Sequence, residues 1–310
     1  MKRMRNTLVL AKVQTAKGTP ATMTAAANAI LCRAATPSIN DGDFVERPLI
    51  RGALGNYGKD IAGVHRTFAL EVELAGSGTA GTAPGYGPLL IGCGLAETVT
   101  ADTSVEYDPV STGMQFITLE GYLDDVKFRK TDCQGTFSLE MNAKAYPVLK
   151  FTFFGTYETL TDTANPTGAT FAAQAKPQVV GKINTATFTL GGNALCVESF
   201  GMDVANDVSW RELINCAGVS LSDRKPAGNL VAELPSVATI NWGENVRLGN
   251  EMALVISHGL VAGNIVGITA PKLQINAKPT ISDAQGIAMI NAGFDVKPNA
   301  GNDEFKFTFT

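Results

Sequence analysis

The chain has 310 residues, enough for two domains of about 150 residues that each bury a core. With 45% hydrophobic and 17% charged residues, 32 glycines and 14 prolines, it is typical of a globular, turn-rich protein whose surface favours contact with other protein. A net charge of -4 excludes the basic surface that nucleic-acid-binding proteins use to neutralise phosphates.

The N-terminal stretch MKRMRNTLVLAKVQ has a basic head, but its apolar run ends at Lys12 and is too short for a signal peptide. The uncharged stretch from Ala75 to Ala96 contains two prolines and many glycines, so we expect no membrane segment there. The five cysteines never form C-x-x-C, and we expect reduced, mostly buried thiols in a protein made in the cytoplasm.

Period-two alternation predicts antiparallel strands along most of the chain. In FALEVEL (68–74) the apolar residues share one face and Glu71 and Glu73 share the other. TFSLEM (136–141) and LKFTF (149–153) repeat the pattern, and FITLEGYLDDVKFR predicts a hairpin that turns at Asp124 and Asp125. Helix-length patterns occur at 84–96 and 235–252, so each half is predicted to be mainly β with one helix.

Short phrases of the first half recur in the second. ILC (30–32) returns as ALC (194–196), and DFVERPLI (43–50) returns as DVSWRELI (207–214), both 164 residues later. LEVEL (70–74) meets LVAEL (230–234), KFTF occurs at 150–153 and 306–309, and the hairpin's partner is predicted in LVISHGLVAGNIVGITA. These matches favour an internal duplication over accidental recurrence of strand-like words.

The predicted organisation is a first domain at 1–160 with an N-terminal arm, a linker at 161–177 and a second domain at 178–310. The linker is small, polar and proline-punctuated. KFTF is interpreted as the closing strand of each domain, with Phe307 facing inward.

No motif predicts catalysis, a cofactor or a metal. GSGTAG (Gly76–Gly81) fits G-x-G-x-x-G, but no helix opens directly after it, so a flexible loop is favoured over a dinucleotide site. His65 and His258 are too isolated for a metal site, and Ser257 beside His258 lacks any triad signature. Glu71 and Glu73 form a candidate acidic strand face, commonly just solvated, which in a passage would repel phosphate.

Asp43 and Arg47 recur as Asp207 and Arg211 and could form ion pairs within a domain or across a subunit contact. Such surface pairs contribute about 0 to 1 kcal/mol, so we expect them to set register. The full set of candidate subunit or ring contacts is Asp43, Arg47, Arg51, Arg66, Asp207, Arg211 and Arg224.

VERPLIRGALGN (45–56), FALEVELAGSGTAGTAPGYGPLL (68–90) and SDRKPAGNLVAEL (222–234) carry a resemblance. They resemble the tail tube (major tail) proteins of long-tailed, siphovirus-like bacteriophages. The resemblance implies β-sandwich or barrel-like domains, each flanked by a helix, in stacked rings of a virion tail tube. It also implies synthesis in the host bacterial cytoplasm, no cofactor, no enzymatic activity and a lumen that DNA crosses without sequence-specific binding.

The resemblance further implies that the loop at 43–66 and the arm at 1–18 bridge successive rings, with a shorter loop at 207–224 in the second half. Two tube-like domains per chain predict a trimeric ring with pseudo-sixfold symmetry; the alternative is six chains, each with a decorating second half. Implied partners are further copies, the tape measure protein, the tail terminator and distal tail or baseplate proteins, and no membrane.

Two other functions stay open from the sequence. One is a capsid decoration protein or another phage structural β-protein. The other is an enzyme that binds a phosphate-bearing ligand at the Gly76–Gly81 loop.

Overall fold

A computed structural model describes residues 2–310, which form 22 strands and three short helices. The helices are α1 (Ala25–Asn28), α2 (Gly87–Gly92) and α3 (Trp242–Leu248). The first eleven strands are β1 (Thr7–Val13), β2 (Ala29–Ile30), β3 (Ala34–Pro37), β4 (Asp41–Glu46), β5 (Lys59–Glu73), β6 (Leu95–Thr100), β7 (Ser104–Pro109), β8 (Ile117–Leu123), β9 (Val126–Asn142), β10 (Val148–Thr156) and β11 (Thr161–Asp162). The others are β12 (Thr187–Leu190), β13 (Asn193–Ala194), β14 (Val197–Asp203), β15 (Asn206–Leu213), β16 (Cys216–Arg224), β17 (Ala227–Glu233), β18 (Glu251–His258), β19 (Val266–Ile275), β20 (Thr280–Ala284), β21 (Ile287–Lys297) and β22 (Lys306–Phe309).

The predicted mainly β fold is confirmed, and α2 and α3 lie inside the two predicted helical segments. Over the described residues the sheets do not close into a barrel, which leaves the sandwich form of the prediction.

Alternating side chains explain why these segments are strands. On β5, Phe68, Leu70 and Val72 are buried while Glu71 and Glu73 stay partly exposed on the other face. The hairpin of β8 and β9 turns at Asp124 and Asp125, which both adopt positive φ (45° and 69°) as a two-residue hairpin loop requires.

One sheet of eight strands runs through both halves in the order β3–β5–β10–β9–β14–β17–β21–β20. The two halves join where the C-terminal part of β9 pairs with β14, so that Leu139 stands opposite Met202. We call this pairing the internal junction.

A second layer has the same strand order in each half. In the first half, β2, β1, β8 and the N-terminal part of β9 are neighbours; in the second, β13, β12, β18 and β19 are neighbours in that order. The β18–β19 hairpin is the one that the sequence paired with β8–β9.

The two KFTF phrases, in contrast, do not occupy equivalent places. β10 lies between β9 and β5, whereas β22 lies between β19 and β7 of the first half. The strand in the place of β10 is β21, which pairs with β17 on one edge and with β19 and β20 on the other. The interpretation of KFTF as the same closing strand twice was wrong, because an alternating pattern fits any edge that offers the right polarity.

The halves share one hydrophobic core. Phe137 of the first half packs against Phe307 of the second with ring centroids 5.8 Å apart, and Tyr107 meets Phe309 edge to face at 5.7 Å. Phe307 has no exposed surface, as the alternation predicts. The predicted boundaries at 161–177 stay a prediction; there the Gln174 amide binds the backbone of Leu31.

Much of the predicted N-terminal arm (1–18) is a paired strand in the single chain, and its bridging of successive rings stays a prediction. β1 lies between β2 and β8, and Val9, Leu10 and Ala11 are buried, because three consecutive apolar residues fill both faces of an enclosed strand. Arg3 and Asn6 are held by the Asp124 carboxylate. Met1, part of the predicted arm, lies outside the described residues.

All five cysteines are free, and the expectation that most are buried needs correction. Cys93 and Cys133 are buried and Cys32 is partly buried, but Cys196 and Cys216 are exposed. Cys216 opens β16 directly after a hairpin tip, where no second layer covers it.

Candidate functional site: paired hairpins and an acidic sheet face

Two hairpins project from the sandwich side by side. The first hairpin consists of β4, the connection at 47–58 and the N-terminal part of β5; the second consists of β15 and β16. The ring of His65 lies between Phe154 (5.9 Å) and Trp210 (5.6 Å), nearly parallel to both. This stack ties the first hairpin to the second beside a groove of about 850 Å³.

The ends of both hairpins carry exposed apolar side chains. In the first hairpin Ile50 and Leu54 are fully exposed and Leu49 is half exposed. In the second, Ile214 is fully exposed and Leu213 is 56% exposed. Contiguous exposed apolar surface marks an interaction site, and here it recurs at matching positions of the two halves.

Five of the predicted contact residues lie exposed on these hairpins: Asp43, Arg47, Arg51, Asp207 and Arg211. Within residues 2–310 no ion pair joins Asp43 to Arg47 or Asp207 to Arg211. Four residues of extended chain span about 13 Å, too far for a direct pair. Asp207 accepts a hydrogen bond from Ser222, and Arg51 lies over the ring of Tyr57.

The other two predicted contacts, Arg66 and Arg224, are inside the molecule. Arg224 lies 3.0 Å from Glu304 and donates to the Val110 carbonyl, so it joins the halves of one chain. Arg66 has no exposed surface because it shares the inward face of β5 with Phe68, and its guanidinium stacks on Tyr157 at 4.7 Å. Burial lowers the pKa of Arg66.

A second buried cation, Lys130, was missed from the sequence. Its ammonium lies 3.9 Å from the ring centroid of Phe68 and has no hydrogen-bond partner. Burial lowers the pKa of Lys130 to about 8. The alternation along VKFRK could have found it, because Lys130 falls on the same face as the buried Phe128.

The open face of the eight-stranded sheet is polar and acidic. By alternation from the buried residues, this acidic face carries Glu71, Glu73, Glu140, Asp203, Glu233 and Asp295. Its lysines are paired: Lys150 lies 2.6 Å from Glu140, and Lys297, at the end of β21, lies 2.6 Å from Glu251. The predicted acidic residues Glu71 and Glu73 are therefore part of a larger surface.

The glycine-rich loop packs closely against the β18–β19 turn. Gly78 donates to the Gly263 carbonyl (2.9 Å), and Gly76 donates to the side chain of Asn264 (2.8 Å), both in the β18–β19 turn. A Cβ at Gly76 would come within 2.1 Å of the Gly263 oxygen. The first helix after the loop, α2, starts only at Gly87 and has six residues.

The histidines are not brought together, and His258 is a satisfied core residue. Its ring nitrogens lie 3.0 Å from the Thr185 hydroxyl and 3.1 Å from the Gln178 carbonyl, and burial lowers its pKa. Among residues 2–310 no group of three or more His, Cys, Asp or Glu could hold a metal ion.

A family model described as phage tail tube protein matches residues 4–297. The chain belongs to the phage tail tube protein family. The resemblance drawn from the sequence is confirmed, and the chain is a structural component of the phage tail and virion. The match includes both hairpins and every residue of the acidic face, so we interpret both features as parts of a tail tube protein. No curated protein matches the chain. In the part of the chain that the structure describes, no helix has the length and apolar character to cross a membrane.

Proposed function

We propose that this tail tube protein assembles with further copies of itself into stacked rings whose lumen conducts DNA out of the capsid. The observation that carries the proposal is the eight-stranded sheet, which has one face on the core and the other open, polar and acidic. A surface with few free cations repels DNA phosphates, so DNA moves past it without being held or read.

We further propose that three chains form a ring with pseudo-sixfold symmetry. The order β9–β10–β5–β3 in the first half and β20–β21–β17–β14 in the second supports an internal duplication that supplies two equivalent units per chain. A ring of six chains, with the second half as decoration, is the alternative.

The two hairpins are the proposed contacts between successive rings. Their exposed apolar ends, Ile50, Leu54 and Ile214, supply the buried centre of the contact. Asp43, Arg47, Arg51, Asp207 and Arg211 supply its charged rim, which fixes register and adds little free energy. We propose the tape measure protein as the partner within the lumen, and the tail terminator and the distal tail or baseplate proteins as partners at the tube ends. Synthesis in the host cytoplasm precedes this assembly.

Electron microscopy of the purified, concentrated protein tests this function. In end-on views we expect tubes or rings with six lobes. Two kinds of lobe should alternate, so that the true rotational symmetry is threefold. Sixfold symmetry without modulation would mean six chains per ring. Closed shells, or a monomer at every concentration, would contradict the proposed tube.

A further inference from the structure

We propose that neighbouring chains in the ring join by antiparallel pairing of the outer edge of β20 in one copy with the outer edge of β3 in the next, with Ser282 opposite Thr36. The inference rests on the proposed ring and names the surface through which it closes. Each chain carries both edges, so the contact is head-to-tail and repeats around the ring.

The internal junction provides the template. There the C-terminal part of β9 pairs with β14, with Met141 opposite Phe200 and Leu139 opposite Met202. The Val204 amide continues this ladder by donating to the Phe137 carbonyl at 3.0 Å. The chain thus shows how the first half receives the second.

Both strands of that junction have counterparts whose outer edges are free. β3 flanks β5 as β14 flanks β17, and β20 flanks β21 as β9 flanks β10. Within residues 2–310, β3 pairs only with β5, and β20 pairs only with β21. An unpaired strand edge is a template for pairing with another chain.

The register of the new pairing follows from two matched leucines. Leu70 stands opposite Ala35, and Leu230 stands opposite Phe200, so Ala35 corresponds to Phe200. The residue pairing can be followed from Leu70 across β10 to β9, and in the same way from Leu230 across β21 to β20. This comparison shows that Ile281 on β20 corresponds to Leu139 on β9. Transferring the internal register sets Pro37 opposite Ile281 and Thr36 opposite Ser282.

Burial at the two places fits this assignment. At the internal junction Leu139 and Val204 are both fully buried. Their counterparts Ile281 and Ile39 are 67% and 66% exposed in the single chain. Pairing β20 with β3 sets these two isoleucines diagonally adjacent on the inward face, where each covers the other.

A proline removes a hydrogen-bond donor from the free edge of β3 and from the free edge beside β20. The N–H groups of Thr36 and Ser38 face β5, since Ser38 donates to the Thr67 carbonyl, so position 37 faces the free edge and Pro37 offers it no donor. Pro279 precedes β20 in the same alternation and offers none either. The ladder between chains therefore has fewer hydrogen bonds than the internal junction.

Disulfide trapping tests the register. Thr36 and Ser282 form a non-hydrogen-bonded pair whose side chains lie close enough for a disulfide. We would make T36C/S282C in a C196S/C216S background and oxidise assembled material. T36C/D283C in the same background is the matched control, because a slip of one residue turns the side chain to the other face.

We expect T36C/S282C to give covalent trimers on non-reducing gels and the control to give monomers. Rings by electron microscopy with no trapping, or equal trapping in the control, would overturn the pairing while the tube function stands. Wild-type protein that forms no rings would overturn both.

A second variant does not depend on a disulfide. I281K should fold with an unchanged circular dichroism spectrum, because Ile281 is largely exposed. Its critical concentration for ring formation should nevertheless rise at least tenfold. I183K, with 76% exposure away from both edges, is the control and should assemble as wild type. Wild-type assembly of I281K would overturn the pairing.

Discussion

Ile50 and Ile214 lie 164 residues apart and occupy the ends of two neighbouring hairpins, each with its side chain fully exposed. The stack of His65 on Trp210 fixes the hairpins beside each other at their base. Exposing two isoleucines costs hydrophobic free energy that only a partner recovers. The pair therefore behaves as one apolar contact surface supplied by both halves.

Replacing either isoleucine with aspartate should block stacking and leave folding intact. A carboxylate at the centre of an apolar contact must be desolvated without a partner, at a cost of several kcal/mol, roughly a thousandfold in association. Electron microscopy of I50D and I214D should show single rings instead of tubes. V237D, which charges an exposed residue outside the hairpins, is the control; long tubes from both hairpin variants would refute the contact.

Gly263 to alanine should destabilise the fold by at least about 3 kcal/mol. The new Cβ would lie 2.4 Å from the backbone of Gly78, and Gly263 also has a φ of 84°. G286A has the same φ with open space around it and should cost only about 1–2 kcal/mol of backbone strain. Chemical denaturation of the two variants separates the cost of backbone strain from the cost of the close contact with Gly78. Equal losses in the free energy of unfolding would mean that Gly263 is not tightly packed against Gly78.

Phe307 to aspartate should prevent folding or assembly. Phe307 is fully buried against Phe137 and Phe305, and an unpaired carboxylate there costs several kcal/mol, on the order of the whole stability of a domain. Soluble yield and thermal melting measure the effect. T308N, on the opposite face of the same strand, should behave as wild type, and normal tubes from F307D would show that the inward face is misassigned.

Lys130 to methionine should stabilise the protein by about 1–3 kcal/mol at pH 7. Lys130 is buried without a hydrogen-bond partner, and burial lowers its pKa to about 8. Methionine fills similar volume and needs no partner. Denaturant unfolding measures the gain, and K150M is the control because Lys150 is partly exposed and paired with Glu140; a loss of stability in K130M would contradict the buried-charge account.

The same lysine gives wild-type stability a pH dependence. Between about pH 8 and pH 10.5 the unfolded chain holds the Lys130 proton more tightly than the folded chain, so the free energy of unfolding rises with pH. K130M should remove this rise. A slope that stays in K130M would assign it to another group.

Reversing charge on the acidic face should slow DNA passage without harming the fold. Glu71 and Glu73 are partly exposed, so E71K/E73K should fold normally but give tubes that retain DNA in a salt-dependent way. Co-sedimentation of assembled tubes with DNA measures retention. E244K/D162K makes the same change in net charge at one partly exposed and one exposed residue away from this face; equal retention by both variants would argue against the acidic face as the lining.

Much of the local structure follows from the alternation of apolar and polar residues along each strand. The inward faces of β5 and β10, the hairpin at Asp124 and Asp125 and the helices α2 and α3 could be predicted because each depends on neighbours in the chain. The exposed hairpin ends were visible as phrases repeated 164 residues apart. Alternation along β5 also contained the burial of Arg66, which charge alone made look like a surface contact.

Only the tertiary structure decided which edges meet. Lys150 to Phe153 and Lys306 to Phe309 have the same letters, yet one pairs with β9 and β5 and the other with β19 and β7. A strand's sequence fixes which side chains face the core, whereas its neighbours are chosen by the packing of distant layers. For the same reason the open edges of β3 and β20 and the close contact at Gly263 emerge only when both halves are folded together.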